Sequence, residues 1–189
     1  MRLKSGRVQM FPHPVGWGFL KDNTLINGCF YFLNQKYFED FPDPYLMKNK
    51  EKIGNVLHNR PCFYAFKESN QSDLFWLVPF SSQTEKYRKI YDKKIAKQHK
   101  CDTIVFGNIL GYEKAFLIQN MCPATVDYIS NIYIDKQSNQ IVRINKNLEQ
   151  ELITKSKTVL MLQRKGYKLI FPDVLNIEAV LIRNHNNPQ

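Results

Sequence analysis

The sequence lacks the signatures on which most enzyme families rest. No P-loop, GxSxG elbow, HExxH or GxGxxG run is present. Nothing therefore points to Walker-type phosphate chemistry, an α/β-hydrolase nucleophile, a zinc protease or a dinucleotide fold. Acidic pairs at metal-ligand spacing are missing too, which argues against a two-metal nuclease. The four cysteines, Cys29, Cys62, Cys101 and Cys122, lie far apart and form no CxxC pair, so no zinc site is expected. Each sits among apolar or aromatic neighbours, which predicts buried, reduced thiols. Histidine is scarce: His13, His58, His99 and His185 are the only ones, and their spacing promotes no catalytic pair. No stretch of 18 apolar residues exists, so no membrane helix is expected. The opening MRLKSGRVQMFPHPVGWGF has no apolar core of a signal peptide, so a cytoplasmic protein is expected. No cofactor is called for, and there is no internal repeat or low-complexity tract.

What is present is positive charge and a substantial apolar content. Apolar residues make up 43% of the 189, enough for a compact core. Lysine and arginine number 27 against 17 acids, a net charge of +10. Such a balance suggests a polyanionic partner, although charge alone does not choose among RNA, DNA and an anionic membrane, and solubility is the bland alternative.

The pattern of strands and helices is readable. Residues 1–27, broken by Pro12, Pro14, Gly16 and Gly18, read as an irregular arm with at most a short strand around Trp17–Leu20. An aromatic strand is predicted at Cys29–Leu33, then a short helix over Gln35–Phe41, stopped by Pro42 and Pro44. The lysine-rich stretch from Tyr45 to Asn59 reads as a loop or short helix. Strands follow at Pro61–Phe66 and Leu74–Phe80. A helix runs from about Glu85 to Lys97, with Ser82 or Thr84 as N-cap. Strands are expected at Thr103–Ile109 and Glu113–Gln119, and a hairpin of Tyr128–Asp135 with Gln140–Ile144. A long helix is predicted from Lys146 to Arg164, with Asn145 as N-cap and Gly166 past its end. Pro172 opens a last helix whose Val174, Ile177 and Leu181 face the core. The fold class is α+β: an antiparallel sheet with helices packed on it, closed as a small curved barrel. Residues 28–182 form the domain and 183–189 a frayed tail.

The helix after Phe80 is the most legible element. Lys86, Lys89, Lys93, Lys97 and Lys100 recur at steps of three and four and share a face, while Tyr87, Ile90, Tyr91 and Ile95 share the opposite side. Residues 86–100 hold seven lysines and arginines and one acid, Asp92. Like charges at this spacing repel, so a face that meets phosphates is preferred over a merely solvated one.

Two places could carry chemistry. Arg60, in His58-Asn59-Arg60-Pro61, stands at the mouth of a strand and could bind a phosphate bidentately, the alternative being a surface ion pair. Ser81 and Ser82, between a strand and the basic helix, could hold a phosphate with the N–H groups of the helix start, the alternative being simple capping. RNA can be cut without metal. Its 2′-OH attacks the adjacent phosphate, leaving a 2′,3′-cyclic phosphate and a 5′-OH. The protein must align that oxygen, neutralise the phosphorane and protonate the leaving group. Tyr31, Tyr37, Tyr64, Phe75 and Trp76 are candidates for stacking bases, although most aromatics in strands are core.

At these residues the chain resembles the ToxN/AbiQ family of type III toxins, most closely its CptN branch. Phe30, Tyr31, Lys36 and Tyr37 match the family's N-terminal FYxxxxKY pattern. Arg60-PCFYAF resembles the strand that opens on a basic residue. Val78-Pro79-Phe80-Ser81-Ser82 resembles the P-L-T/S-S element whose hydroxyls line the active site. Phe116-LIQNMCP resembles the later strand, with its Met-x-Pro turn. One departure is clear: the family lysine two residues after the second hydroxyl is Thr84 here, and the next lysine is Lys86.

The resemblance covers about Cys29 to Ile182. It implies a Kid/MazF-type SH3-like barrel with added helices. It also implies metal-independent cleavage of A-rich RNA, cellular or phage mRNA as substrate, and a role in phage abortive infection. Inhibition would come from a repeated pseudoknot antitoxin RNA, held with the toxin in a closed protein–RNA assembly. On this reading Ser81 and Ser82 orient the scissile phosphate and the 2′-oxygen, Arg60 neutralises charge, and His58 or Lys86 assists proton transfer. Tyr31, Lys36, Tyr37, Lys86, Lys89, Lys93 and Lys97 contact RNA. A non-catalytic RNA-binding module and a same-fold toxin against a protein target are the rivals; a DNA nuclease is a weaker third.

Overall fold

The computed structural model describes residues 25–48, 50–53, 56–68 and 73–186, with the backbone alone described at 51–53 and 56–58. The strand considered around Trp17–Leu20 lies outside these residues.

The chain order is β1 (Phe30–Leu33), α1 (Gln35–Asp40), β2 (Lys50–Ile53), β3 (Val56–Asn59), β4 (Pro61–Lys67) and β5 (Phe75–Ser81). Next come α2 (Thr84–Gln98), β6 (Ile104–Ile109), β7 (Tyr112–Leu117), β8 (Cys122–Ala124), β9 (Ile129–Ile132), α3 (Lys146–Arg164) and α4 (Val174–Asn186). Seven strands form one antiparallel sheet in the order β6-β7-β5-β4-β1-β9, with β8 also paired to β5. Strands β2 and β3 make a separate hairpin.

The class is therefore α+β, as expected, but the strand path is open: no pairing joins β6 to β9 among the described residues, and the expected barrel closure is not seen. Three local expectations are also corrected. The stretch from Tyr45 to Asn59 contains the β2–β3 hairpin rather than a loop or helix. The Gln140–Ile144 arm is reduced to single bridges, Ile134 to Ile141 and Cys29 to Arg143. The tail is not frayed from residue 183, because α4 continues through Asn186.

Both faces of the sheet are covered, and alternation along the strands assigns each side chain to a face. Phe30, Phe63, Trp76, Phe80 and Phe116 pack with Leu148, Leu152, Val159 and Leu160 of α3. Tyr31, Leu33, Cys62, Tyr64, Phe75 and Leu77 pack on the other face with Tyr37 of α1 and Ile177 and Leu181 of α4. A third cluster lies under α2, where Tyr87, Ile90, Tyr91 and Ile95 meet Ile104, Ala115 and Leu117, the apolar side anticipated for this helix. The Asn145 side chain caps α3 by accepting from the Leu148 amide at 2.9 Å. Gly166 follows with φ +93°.

Strand β5 organises the functional end. One edge pairs with β4. The other pairs with β8 through Phe75–Leu77 and then with β7 through Phe80 and Ser81. Pro79 falls between these two half-pairings, where a missing N–H costs the sheet least. The β5–β7 register sets Phe80 opposite Phe116 and Ser81 opposite Ala115, so the next step sets Ser82 opposite Lys114.

All four cysteines are free and buried. Burial pushes the Cys122 thiol from its ordinary 9.0 up to about 12. It raises Cys62 well above 9.0, with Cys122 adding to the effect, and takes Tyr31 from 10.0 to about 12. Each folded pKa lies above its unfolded value. The Cys122 and Tyr31 contributions to stability are therefore complete below their ordinary values of 9.0 and 10.0 and are lost as pH rises through about 12. Chemical unfolding followed against pH should show stability falling steeply across that window, together with the rise in thiolate absorbance. A flat profile there would contradict the burial of these groups.

Candidate active site at the end of strand β5

The site begins with a guanidinium clamp. Arg60 is only 9% exposed. Its Nη1 donates to the Phe80 carbonyl at 2.8 Å and its Nε to the Lys48 carbonyl at 3.1 Å. It thus pins the backbone immediately before the two serines. Behind it lies a small, mostly apolar cavity lined by Leu33, Phe38, Leu46, Met47 and Pro79, with room for about one water molecule and not for a base.

The serines differ. Ser81 is 2% exposed, and its Oγ accepts from the Gln83 amide at 3.2 Å, shaping the turn into α2. Ser82 is half-exposed and its Oγ accepts from Lys114 Nζ at 2.8 Å. Consecutive residues of β7 point to opposite faces, so Ser81 lies across from Ala115 while Ser82 meets the Lys114 face. The N-cap of α2 is Gln83, with no side-chain cap bond, rather than Ser82 or Thr84. Glu85 occupies the first turn.

Lys114 was not anticipated. It stands 32 positions from Ser82. Only the pairing of β7 with β5 brings it there, and no local motif signals it. The alternation of Tyr112, Lys114 and Phe116 on one face was the only trace in the sequence.

No family model matches the chain, and no curated protein matches it. Among solved structures the molecule resembles AbiQ, described as a lactococcal anti-phage endoribonuclease belonging to the type-III toxin–antitoxin system. The TM-score is 0.58 at 15% identity, over 84% of this chain and 98% of that one. The chain shares the fold of AbiQ.

Within this AbiQ-like fold the other residues singled out are dispersed. Tyr31 and Tyr37 are 2% and 0% exposed. The Tyr31 hydroxyl accepts from the Ile26 amide, and the Tyr37 hydroxyl donates to the Pro123 carbonyl, both at 2.8 Å. The expected RNA contacts at both positions are corrected: no ring face remains for a base, and both rings are core. Tyr64, Phe75 and Trp76 are buried as well. Lys36 is exposed and paired with Asp40 on its own helix. The backbone at His58 belongs to β3, which leads into Arg60; its side chain lies outside the described residues.

Along α2 the cationic face is intact. Lys86, Lys89, Lys93 and Lys97 are all exposed, and none has an acidic partner among the described residues. The remaining cations of the helix serve its docking. Arg88 stacks 3.5 Å from the Phe106 ring centroid and donates to Glu113 at 2.7 Å. Half-buried Lys94 donates to Thr103 Oγ1 at 2.7 Å and Gln119 Oε1 at 2.9 Å, and burial holds its pKa below the usual lysine value. Lys100 pairs with Asp102. Among the described residues no three His, Cys, Asp or Glu side chains converge, and no helix is long and apolar enough to cross a membrane.

Proposed function

We propose that the protein is an endoribonuclease toxin of a type III toxin–antitoxin system, related to the CptN branch by its motifs. It cuts single-stranded RNA without metal, leaving a 2′,3′-cyclic phosphate and a 5′-OH, and a repeated pseudoknot RNA holds it inactive in a closed protein–RNA assembly. The carrying observation is the Lys114 to Ser82 hydrogen bond beside the Arg60 clamp. A hydroxyl and an ammonium share one point at the mouth of a cationic helix. A phosphate arriving there meets Ser82 and Lys114 directly. Arg60, one residue away through the Phe80 carbonyl, adds positive potential as charge develops.

In this reading Ser82 orients the phosphate and the 2′-oxygen, and Ser81 holds the turn that presents it. Lys86, in the first turn of α2, or His58 assists proton transfer. Lys36 and the row Lys86, Lys89, Lys93 and Lys97 contact RNA phosphates. Replacing Lys93 and Lys97 by glutamine should weaken RNA binding and flatten its salt dependence. The loss is roughly 0.7 in the log–log slope per phosphate contact removed. An unchanged slope would show that this face only solvates the helix.

The decisive experiment incubates the purified protein with single-stranded A-rich RNA in EDTA and analyses the product ends. Cyclic phosphate and 5′-hydroxyl ends support the reading. Intact but bound RNA supports a non-catalytic RNA-binding module, the reading favoured by the burial of Ser81 and the commitment of Arg60 to backbone carbonyls. Absence of RNA binding supports a toxin directed at a protein.

A further inference from the structure

The tip of the β6–β7 hairpin exposes apolar surface where a turn would ordinarily be polar. Leu110 is 47% exposed and Tyr112 is 70% exposed. The turn places Leu110 at φ +50°, an uncommon conformation for a branched side chain, followed by Gly111 at φ +81°, which glycine adopts freely. A two-residue hairpin turn of this handedness favours Asn or Asp at the first position, and a branched apolar side chain there is costly. Neither Leu110 nor Tyr112 is buried in the core. Ligand contact would account for their exposure.

What lies beside the tip identifies the ligand. Tyr112 and Lys114 are two apart on β7 and share a face. Lys114 Nζ lies 5.7 Å from the Tyr112 ring centroid and 2.8 Å from Ser82 Oγ. One ammonium therefore bridges an exposed aromatic ring and the hydroxyl assigned to the phosphate. The ring is carried on a paired strand, with Ile109 across from it buried in the core, so its position is set by the sheet. A phosphate seated on Ser82 and Lys114 leaves the adjoining base within reach of the Tyr112 face.

We infer that Tyr112, with Lys114, forms a subsite for an unpaired nucleobase adjoining the phosphate held at Ser82. The inference rests on the reading of Ser82 as a phosphate contact and assigns a base contact to a residue outside the motifs. Stacking on Tyr112 strengthens binding at one nucleotide and leaves the others unaffected.

The test uses the full chain and a non-cleavable 2′-O-methyl A-rich single strand, so that binding is read without cleavage. Tyr112→Ala should weaken binding about ten-fold, Tyr112→Phe should bind nearly as the parent does, and Tyr112→Trp should show indole quenching on binding. An abasic nucleotide stepped along the strand should reduce binding by the parent at one position, where the parent and Tyr112→Ala should become equal. Equal binding by the parent and Tyr112→Ala on the intact strand overturns the subsite. So does a loss of self-association, followed by sedimentation, as the only effect of Tyr112→Ala, since that makes the tip a contact between copies. Absence of any binding by the parent overturns the subsite and the RNA reading together. Tyr112-dependent binding without cleavage of the matching unmodified RNA keeps the subsite and removes only the nuclease assignment.

Discussion

Ser82→Ala should reduce RNA cleavage by about 100-fold or more while leaving the fold intact, a typical cost for losing a group that aligns or stabilises reacting oxygens. The side chain is half-exposed and its hydrogen bond is to Lys114, itself partly exposed, so removing it strands no buried atom. Lys114→Met should produce a loss of similar size. If both act on one phosphate, the double variant should be little worse than either single one, as happens where groups act as a unit. Ser81→Ala should behave differently. That hydroxyl is buried and accepts from the Gln83 amide, so its removal should cost about 1 kcal/mol of stability, with activity falling only as far as the turn loosens. Single-turnover cleavage of A-rich RNA, paired with thermal unfolding of each variant, separates the two outcomes. Full activity in Ser82→Ala would remove Ser82 from the mechanism.

Gly107→Ala should destabilise the protein by about 1–3 kcal/mol, an unusually large effect for adding one methyl group. A Cβ at Gly107 would lie 2.2 Å from Leu148 Cδ2 and 2.9 Å from Cδ1. Leu148 cannot easily yield, because it is buried against Val105, Ile109 and Phe116 and its amide is held by the Asn145 cap. The methyl group therefore pushes the first turn of α3 off the β6–β7 hairpin. Leu148→Ala alone should also be destabilising, by about 2–5 kcal/mol, because it opens a cavity. The double variant should be more stable than the sum of the two losses predicts, since the alanine at 148 makes room for the one at 107. Additive losses in urea unfolding would show that the contact does not govern how α3 docks. Because β7 carries Lys114 and Tyr112, the same variant should also weaken RNA binding.

The elements that could be read from the chain were those whose pattern is local. The helix α3 carries its own cap and terminator in Asn145 and Gly166, and α2 separates its lysines from Tyr87, Ile90 and Ile95 within four turns. Strands β1, β4 and β5 are dense in aromatics and bounded by turn residues. The β2–β3 hairpin escaped notice because its first strand, KEKI, has the composition of a loop and is ordered only by its ladder with VLHN. Four of the five rings considered for stacking, Tyr31, Tyr37, Tyr64 and Phe75, are buried for a related reason. A strand shows which side chains share a face, but not whether a helix covers that face, and here α1 and α4 cover it.

The candidate site divides in the same way. Ser81, Ser82, Arg60 and the lysines of α2 were visible because a strand end, a hydroxyl pair and a three–four charge spacing are properties of contiguous residues. That Ser82 rather than Ser81 reaches solvent follows from its place one step past the end of β5, beside Lys114. That Lys114 and Tyr112 stand beside Ser82 follows from one antiparallel register, Phe80 to Phe116 and Ser81 to Ala115, between segments far apart in the chain. Contiguous residues settled the charge, the helices and most strand positions. The long-range pairing chose which cation and which ring stand at the site, because a ladder can place residues side by side that share no neighbours along the chain.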